Sequence, residues 1–267
     1  MFRRDFDQGQ IEESHRRADA EAEEQSRVDS PQKRPPSIFD VIVVGLFAAH
    51  ATLRTLVLVF LPTTIVAIAS HLAQGRHEAI GTVLGTLTAF VLTTSLSAAA
   101  YVLRRGPGQG SVTATDAFAN ELSAPAVPLV SCALLLLGEV LRIDTTLLGT
   151  LPALPFFLLG LLVAVLAPSE GLGALTAIRR SAQLLAAAPL RFVATLGAAY
   201  LATGALLAVP VGFLLILGLP VLLTLSGLLI FAGPMFAGVL FAATQHLRAI
   251  DAARRRGPQG LSRHAQP

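Results

Sequence analysis

The chain has no tryptophan, two tyrosines, a single cysteine and a single lysine, Lys33. Charge is the more telling shortage. Only 14% of the 267 residues are charged, against about 25% in soluble globular domains, too few to cover an ordinary aqueous surface. The lone Cys132 excludes an intrachain disulfide. The sequence pI near 9.7 is no nucleic-acid signature, because the bases are spread between apolar runs and not gathered on one soluble face. Also missing are a nucleophile triad, a carboxylate pair and a nucleotide fingerprint. Gly106-Pro-Gly-Gln-Gly110 lacks the Lys-Ser/Thr of a phosphate loop and reads as a turn. His71, His77 and Glu78 lack the helical spacing of zinc-protease ligands. The expectation is a chain with no catalytic residue, no cofactor and no metal.

What is abundant is apolar surface: 53% hydrophobic residues and a mean hydropathy of +0.66. Lipid is the natural solvent for it. Residues 1–37 are the exception, with seven bases, nine acids and too few apolar residues to build a core, so a disordered, charged cytoplasmic tail is expected. A membrane domain is expected over 38–250 and a basic cytoplasmic tail over 251–267. A membrane span needs ~20 apolar residues. Six such spans fit: Leu53–His71, Ala79–Leu103, Pro125–Leu141, Leu147–Leu166, Phe192–Leu215 and Leu222–Gln245.

Three segments between them are of another kind. Ser37–His50 and Thr113–Leu122 each open on a capping-box pattern, with Asp40 and Asp116 three residues after a Ser or Thr. In the second, Phe118 and Leu122 are expected in lipid, Asp116 and Asn120 in water. Ser169–Arg191 is the strongest of the three. Read as one helix, it sets Leu172, Leu175, Ile178, Ala182 and Leu185 on one face. Thr176, Arg180, Gln183 and Arg191 fall on the other, with Arg179 beside them. Such a helix lies in the membrane interface. The expected fold is an all-α integral membrane protein with six transmembrane helices and three cytoplasmic interfacial amphipathic helices, arranged as three helix–hairpin units.

Charge sets the orientation. With both termini cytoplasmic, the inner segments hold 18 bases and the outer loops two, Arg76 and Arg142, as the positive-inside rule requires. Anionic headgroups attract each arginine on that side by about 1 kcal/mol. Arginine in place of lysine, with abundant alanine and leucine, points to a GC-rich bacterial gene and so to a bacterial inner membrane.

Glu170-Gly171, Ala174-Leu175, the Arg180-Ser181 pair and Arg191 at the head of the next span form a recognisable pattern. Over about Leu159 to Ala208 the chain resembles the membrane domain found in some bacterial glycerophosphodiester phosphodiesterases and in related stand-alone polytopic membrane proteins of uncharacterised role. It departs from that pattern just before Arg191, where Ala188-Pro189-Leu190 replace the usual aromatic and Gly. The resemblance implies a six-span fold. It implies no catalysis, because the soluble phosphodiesterase domain is a barrel of ~250 residues, which neither tail is long enough to hold.

Several polar residues carry two readings. Arg179, Arg180, Arg191, Arg104 and Arg105 read as anchors to anionic lipid headgroups, with specific headgroup recognition as the sharper alternative. Glu170, expected at the start of the third interfacial helix, reads as a carboxylate favoured by the helix dipole or as the ion-pair partner of an arginine from another unit. Asp40 and Asp116 open the other two interfacial helices. Glu139 and Arg142 stand at neighbour spacing and read as an interfacial ion pair or as an ion or proton site. Thr82, Thr86, Thr93 and Ser97 form a hydroxyl stripe, for packing or for lining a polar pore. The function expected is a non-enzymatic membrane scaffold or a component that contacts lipids or a protein partner, with no nucleic acid. The alternative is a transporter or channel component for a small molecule, lipid or ion, supported by Pro62, Pro152, Pro155, Pro210 and Pro234 within spans. A polar mid-depth cavity lined by Thr82, Thr86, Thr93 and Glu139 favours transport; a dry interior favours a scaffold.

Overall fold

The computed structural model describes residues 36–74, 78–106, 112–143, 146–218 and 220–256. The charged N-terminal segment through residue 35, His77, most of the Gly106–Gly110 loop and the tail after Arg256 lie outside the described residues. Ten helices follow one another, with no strand among the described residues: α1 (Ile38–Ala51), α2 (Leu53–Gln74), α3 (Glu78–Arg105), α4 (Ala114–Ser123), α5 (Ala126–Leu141), the single turn α6 (Leu147–Thr150), α7 (Leu154–Glu170), α8 (Ala174–Ala187), α9 (Pro189–Ile216) and α10 (Val221–Arg256).

Three stretches are long and apolar enough to cross a bilayer: Leu53–Ala73, Ala79–Arg105 and Gly227–Arg254. Three bent pairs bring the number to six if each counts as one span. These are α4 with α5 (83°), α7 with α8 (115°), and the two parts of α9, Pro189–Ala205 and Pro210–Ile216 (46°).

α3 is packed against α2, α4, α5, α7 and α10. Its inward surface carries hydroxyls that tie it to three helices. On α2, the Thr63 and Ser95 hydroxyls lie 2.9 Å apart, and Ser95 donates to the Val59 carbonyl at 2.8 Å. On α5, Thr93 donates to the Pro128 carbonyl at 3.2 Å. On α7, Ser97 donates to the Ala164 carbonyl at 2.8 Å. That last bond fills a specific need. Pro168 sits inside α7 and has no N–H, so the carbonyl four residues before it loses its helical donor. Ser97 supplies one.

α1 and α10 meet backbone to backbone at Gly45 and Gly238. A Cβ on Gly45 would lie 2.5 Å from the Val239 Cα, and one on Gly238 would run into the Gly45 carbonyl oxygen. Small residues allow this approach, which is how membrane helices gain contact in the absence of a hydrophobic drive. Phe60 of α2 likewise lies across Gly233 of α10.

The sequence-based boundaries need three corrections. The third amphipathic helix is Ala174–Ala187 and not Ser169–Arg191. Gly171, left-handed at φ 68°, ends α7, and Pro189 begins α9, so the outer residues of the expected helix belong to its neighbours. The fourth span, expected as Leu147–Leu166, is interrupted, because α6 stops before Pro152 and α7 starts at Leu154 and runs to Glu170. A proline inside a helix removes a donor and crowds the preceding turn, whereas Pro155 sits in the first turn of α7, where it is tolerated. The boundary expected at residue 251 falls inside α10, a 36-residue helix some ~54 Å long. That exceeds the ~30 Å hydrocarbon thickness.

Candidate functional site

The polar groups concentrate where α3, α7, α8 and α10 end or begin together. The Arg180 Nη1 of α8 lies 2.7 Å from the Asp251 Oδ2 of α10. The Arg248 Nε of α10 lies 2.7 Å from the Glu170 Oε1 at the end of α7, and its Nη1 is 2.9 Å from the Gln245 Oε1. The Arg104 Nη1 of α3 donates to the Pro168 carbonyl at 3.1 Å, one of the last carbonyls of α7 and a favourable place for a cation. Four elements are thus tied by charge at one end of the bundle.

This changes the reading of several expected anchors. Arg180 and Arg104 bond to protein groups, and the inward position of Arg180 follows from how α8 is rolled. Its buried face is Ala177, Ser181 and Leu184, roughly a third of a turn from the centre of the expected greasy face. Leu175 is left 76% exposed, as are Arg179, Thr176, Ala182 and Gln183. α8 therefore has three faces: Ala177, Ser181 and Leu184 against protein, an apolar edge and a polar edge. Arg105 is exposed and stacks over Tyr101, with its Cζ 5.2 Å from the ring centre and Nη2 3.0 Å from the Tyr101 hydroxyl. Arg191 lies in the first turn of α9, half-buried. Glu170 closes α7 and does not open α8, so the dipole argument fails at this position. Its arginine, Arg248, comes from the last helix of the same expected unit.

Asp40 sits in the first turn of α1. Asp116 completes a capping box with Thr113 at the head of α4. The Thr113 hydroxyl and backbone N–H hold its carboxyl below the usual carboxylate range.

α4 also presents a residue that sequence reasoning missed. The helix turns Ala117 and Glu121 inward. Phe118 packs on the core and not toward lipid, while Leu122 stays exposed. Glu121 is only 4% exposed. Burial pushes its carboxyl above the ordinary value, against the opposing pull of hydrogen bonds with Asn120 and Ser97. The available signal was the absence of any basic residue on α4, which leaves this acid no counter-ion on its own helix.

Glu139 and Arg142 pair at 2.5 Å at the end of α5, with side chains 50% and 36% exposed. The arrangement is a surface ion pair, a class worth about 0–1 kcal/mol. The hydroxyl stripe divides: Thr82 and Thr86 are exposed, whereas Thr93 and Ser97 are buried in the helix contacts described above. None of these four groups lines the cavity of about 620 Å³ that opens between α2, α3, α7, α9 and α10. That cavity is apolar, walled by residues such as Phe60, Leu96, Leu161 and Phe236, with the Thr203 hydroxyl and Tyr200 on the α9 side. Among the described residues no group of three or more His, Cys, Asp and Glu side chains is placed to hold a metal. The chain matches no family model, no curated protein and no solved structure.

Proposed function

We propose that this is a non-enzymatic, six-span protein of a bacterial inner membrane. In this reading α4 and α8 lie along the cytoplasmic face, α1 packs deeper, with Ile42 against Ala199 of α9 and Val239 of α10, and the protein serves as a scaffold offering that face to anionic lipids or to a protein partner. The observation that carries the reading is the placement of α8, bent 115° from α7 and held to α10 by Arg180 and Asp251, with Leu175 and Arg179 outward. A helix with one side on protein, one apolar edge and one basic edge fits the boundary between headgroups and acyl chains. α5 and α7, of 16 and 17 residues, are ~24–26 Å long. They are short spans whose neighbours α4 and α8 fold down onto the surface. The excess of arginine on the side of Arg104, Arg179 and Arg248 supports placing that side in the cytoplasm.

The test is lipid retention by the full chain. Arg179→Glu combined with Arg105→Glu reverses two exposed charges and leaves Arg180 paired. Purified from membranes containing phosphatidylglycerol, the variant is expected to keep less of that lipid than the wild type, by mass spectrometry of the bound lipid. Equal retention would remove the lipid-anchoring part of the proposal.

A further inference from the structure

The cavity between the helices has no role in that proposal, and its chemistry specifies an occupant. α9 leans on α10, α1 and α8 and stands away from α3 and α7, which leaves about 620 Å³ among Phe60, Leu96, Leu161, Tyr200 and Gly204. Sites that hold a drug-sized ligand measure about 300–1,000 Å³. The depth follows from the helices themselves. Leu96, Leu161 and Tyr200 lie eight or nine residues along their helices from Arg104, Glu170 and Arg191, which is about 12–14 Å. The cavity therefore begins close to one leaflet's depth below the charged end, within hydrocarbon, where water gains nothing from apolar walls. Tyr200 and Leu201 are 74% and 72% exposed, so the α9 wall of the cavity is continuous with the outer surface of the bundle.

We infer that this cavity takes the acyl chain of a membrane phospholipid, entering sideways past α9. The chain replaces the helix contacts that α9 does not make, and its own contacts are with the partly exposed lining residues Leu92, Leu161 and Phe236. Gly204 gives a clean way to close the site. It lines the cavity, and a Cβ placed on it meets nothing within 4 Å. A larger side chain there has open space to enter, and replacing a helical glycine favours the helix.

The experiment uses the full chain in vesicles of phosphatidylethanolamine and phosphatidylglycerol, doped with a phosphatidylethanolamine that carries a photoactivatable diazirine in mid-chain. Crosslinks in the wild type are expected to concentrate at the cavity-lining Leu92, Leu161 and Phe236. In Gly204→Phe they should fall at least about tenfold, equivalent to 1.4 kcal/mol, while crosslinks to the exposed Phe47 stay unchanged and the melting temperature is kept or raised. Crosslinks spread evenly over exposed residues in the wild type would overturn the inference. So would unchanged crosslinking in Gly204→Phe, or a lowered melting temperature, which would mean that α9 closes the gap itself. Gly204→Leu, a smaller filler, should give an intermediate loss, and a loss no different from wild type would count against the site.

Discussion

Arg180 and Asp251, seventy-one residues apart, meet at 2.7 Å between α8 and the far end of α10. Among the described residues, the contact fastens the most amphipathic helix to the longest one. It also turns an arginine suited to lipid headgroups into a structural tie.

Arg180→Ala and Asp251→Ala should each lower stability by about 1–2 kcal/mol. The pair retains 25% and 12% side-chain exposure, so the cost lies between the ~3–5 kcal/mol of a broken buried pair and the small value of a surface one. Thermal melts in detergent of the two single variants and the double variant form the check. A coupling of about 1 kcal/mol is expected; simple additivity would show that the pair contributes nothing.

Ser97→Ala should be costly for a reason unrelated to volume. It strips the Ala164 carbonyl of the donor that replaces the missing N–H of Pro168, and an unsatisfied buried acceptor costs about 1–3 kcal/mol. Pro168→Ala restores a backbone donor to that carbonyl. The melting temperature of the double variant should therefore lie above that of Ser97→Ala alone. A double variant that melts lower still would refute this account of the bond.

Glu121 predicts a pH dependence. Burial raises its folded-state value above the 4.5 of an ordinary glutamate, so the folded protein holds this proton more tightly than the unfolded chain does. The contribution of Glu121 to stability is greatest below about 4.5 and falls as pH rises from there through the raised value, as the buried carboxyl loses its proton. Glu121→Gln keeps the amide-like hydrogen bonding and removes the titration. Its melting temperature should vary less with pH over that window than that of the wild type. Identical profiles would place the pH sensitivity elsewhere.

Gly238→Leu should detach α1. The side chain has no room against the Gly45 carbonyl and the Ala49 methyl, and overpacking of this kind costs typically ~1–3 kcal/mol. Protease cleavage near Thr52 in the folded variant would report the loosened helix; cleavage equal to the wild type would mean that the contact is not closely packed.

Helix positions were largely legible in the sequence because apolar runs and proline punctuation act locally. The break at Thr52 and the capping box at Thr113 are set by residues within one turn of each other. The roll of α8 was not legible. Its greasy and basic faces are defined by its own residues, but the face it buries is chosen by its neighbours: Ala177 packs on Val127, Val163 and Ala167, and Arg180 is drawn to Asp251 of α10, seventy-one residues away. The same limit hid Glu121, which is inward only because α3 offers Ser97 beside it. Glu170 was assigned to the wrong helix because two glycines, Gly171 and Gly173, lie between α7 and α8 and only one of them, Gly171, adopts the left-handed turn. Arg248, a residue that sequence analysis treated only as a topology charge, is the counter-ion of Glu170.

The placement of the two faces of the bundle is tested most directly by sidedness. In a Cys132→Ser background, a cysteine is introduced by Arg179→Cys on α8 or by Ile143→Cys after α5, both exposed positions. Each is exposed to a membrane-impermeant maleimide in intact spheroplasts and in inverted vesicles. The account predicts that position 179 reacts only in inverted vesicles and position 143 only in intact spheroplasts. Reaction of position 179 in intact spheroplasts, or of both positions from the same side, would contradict it.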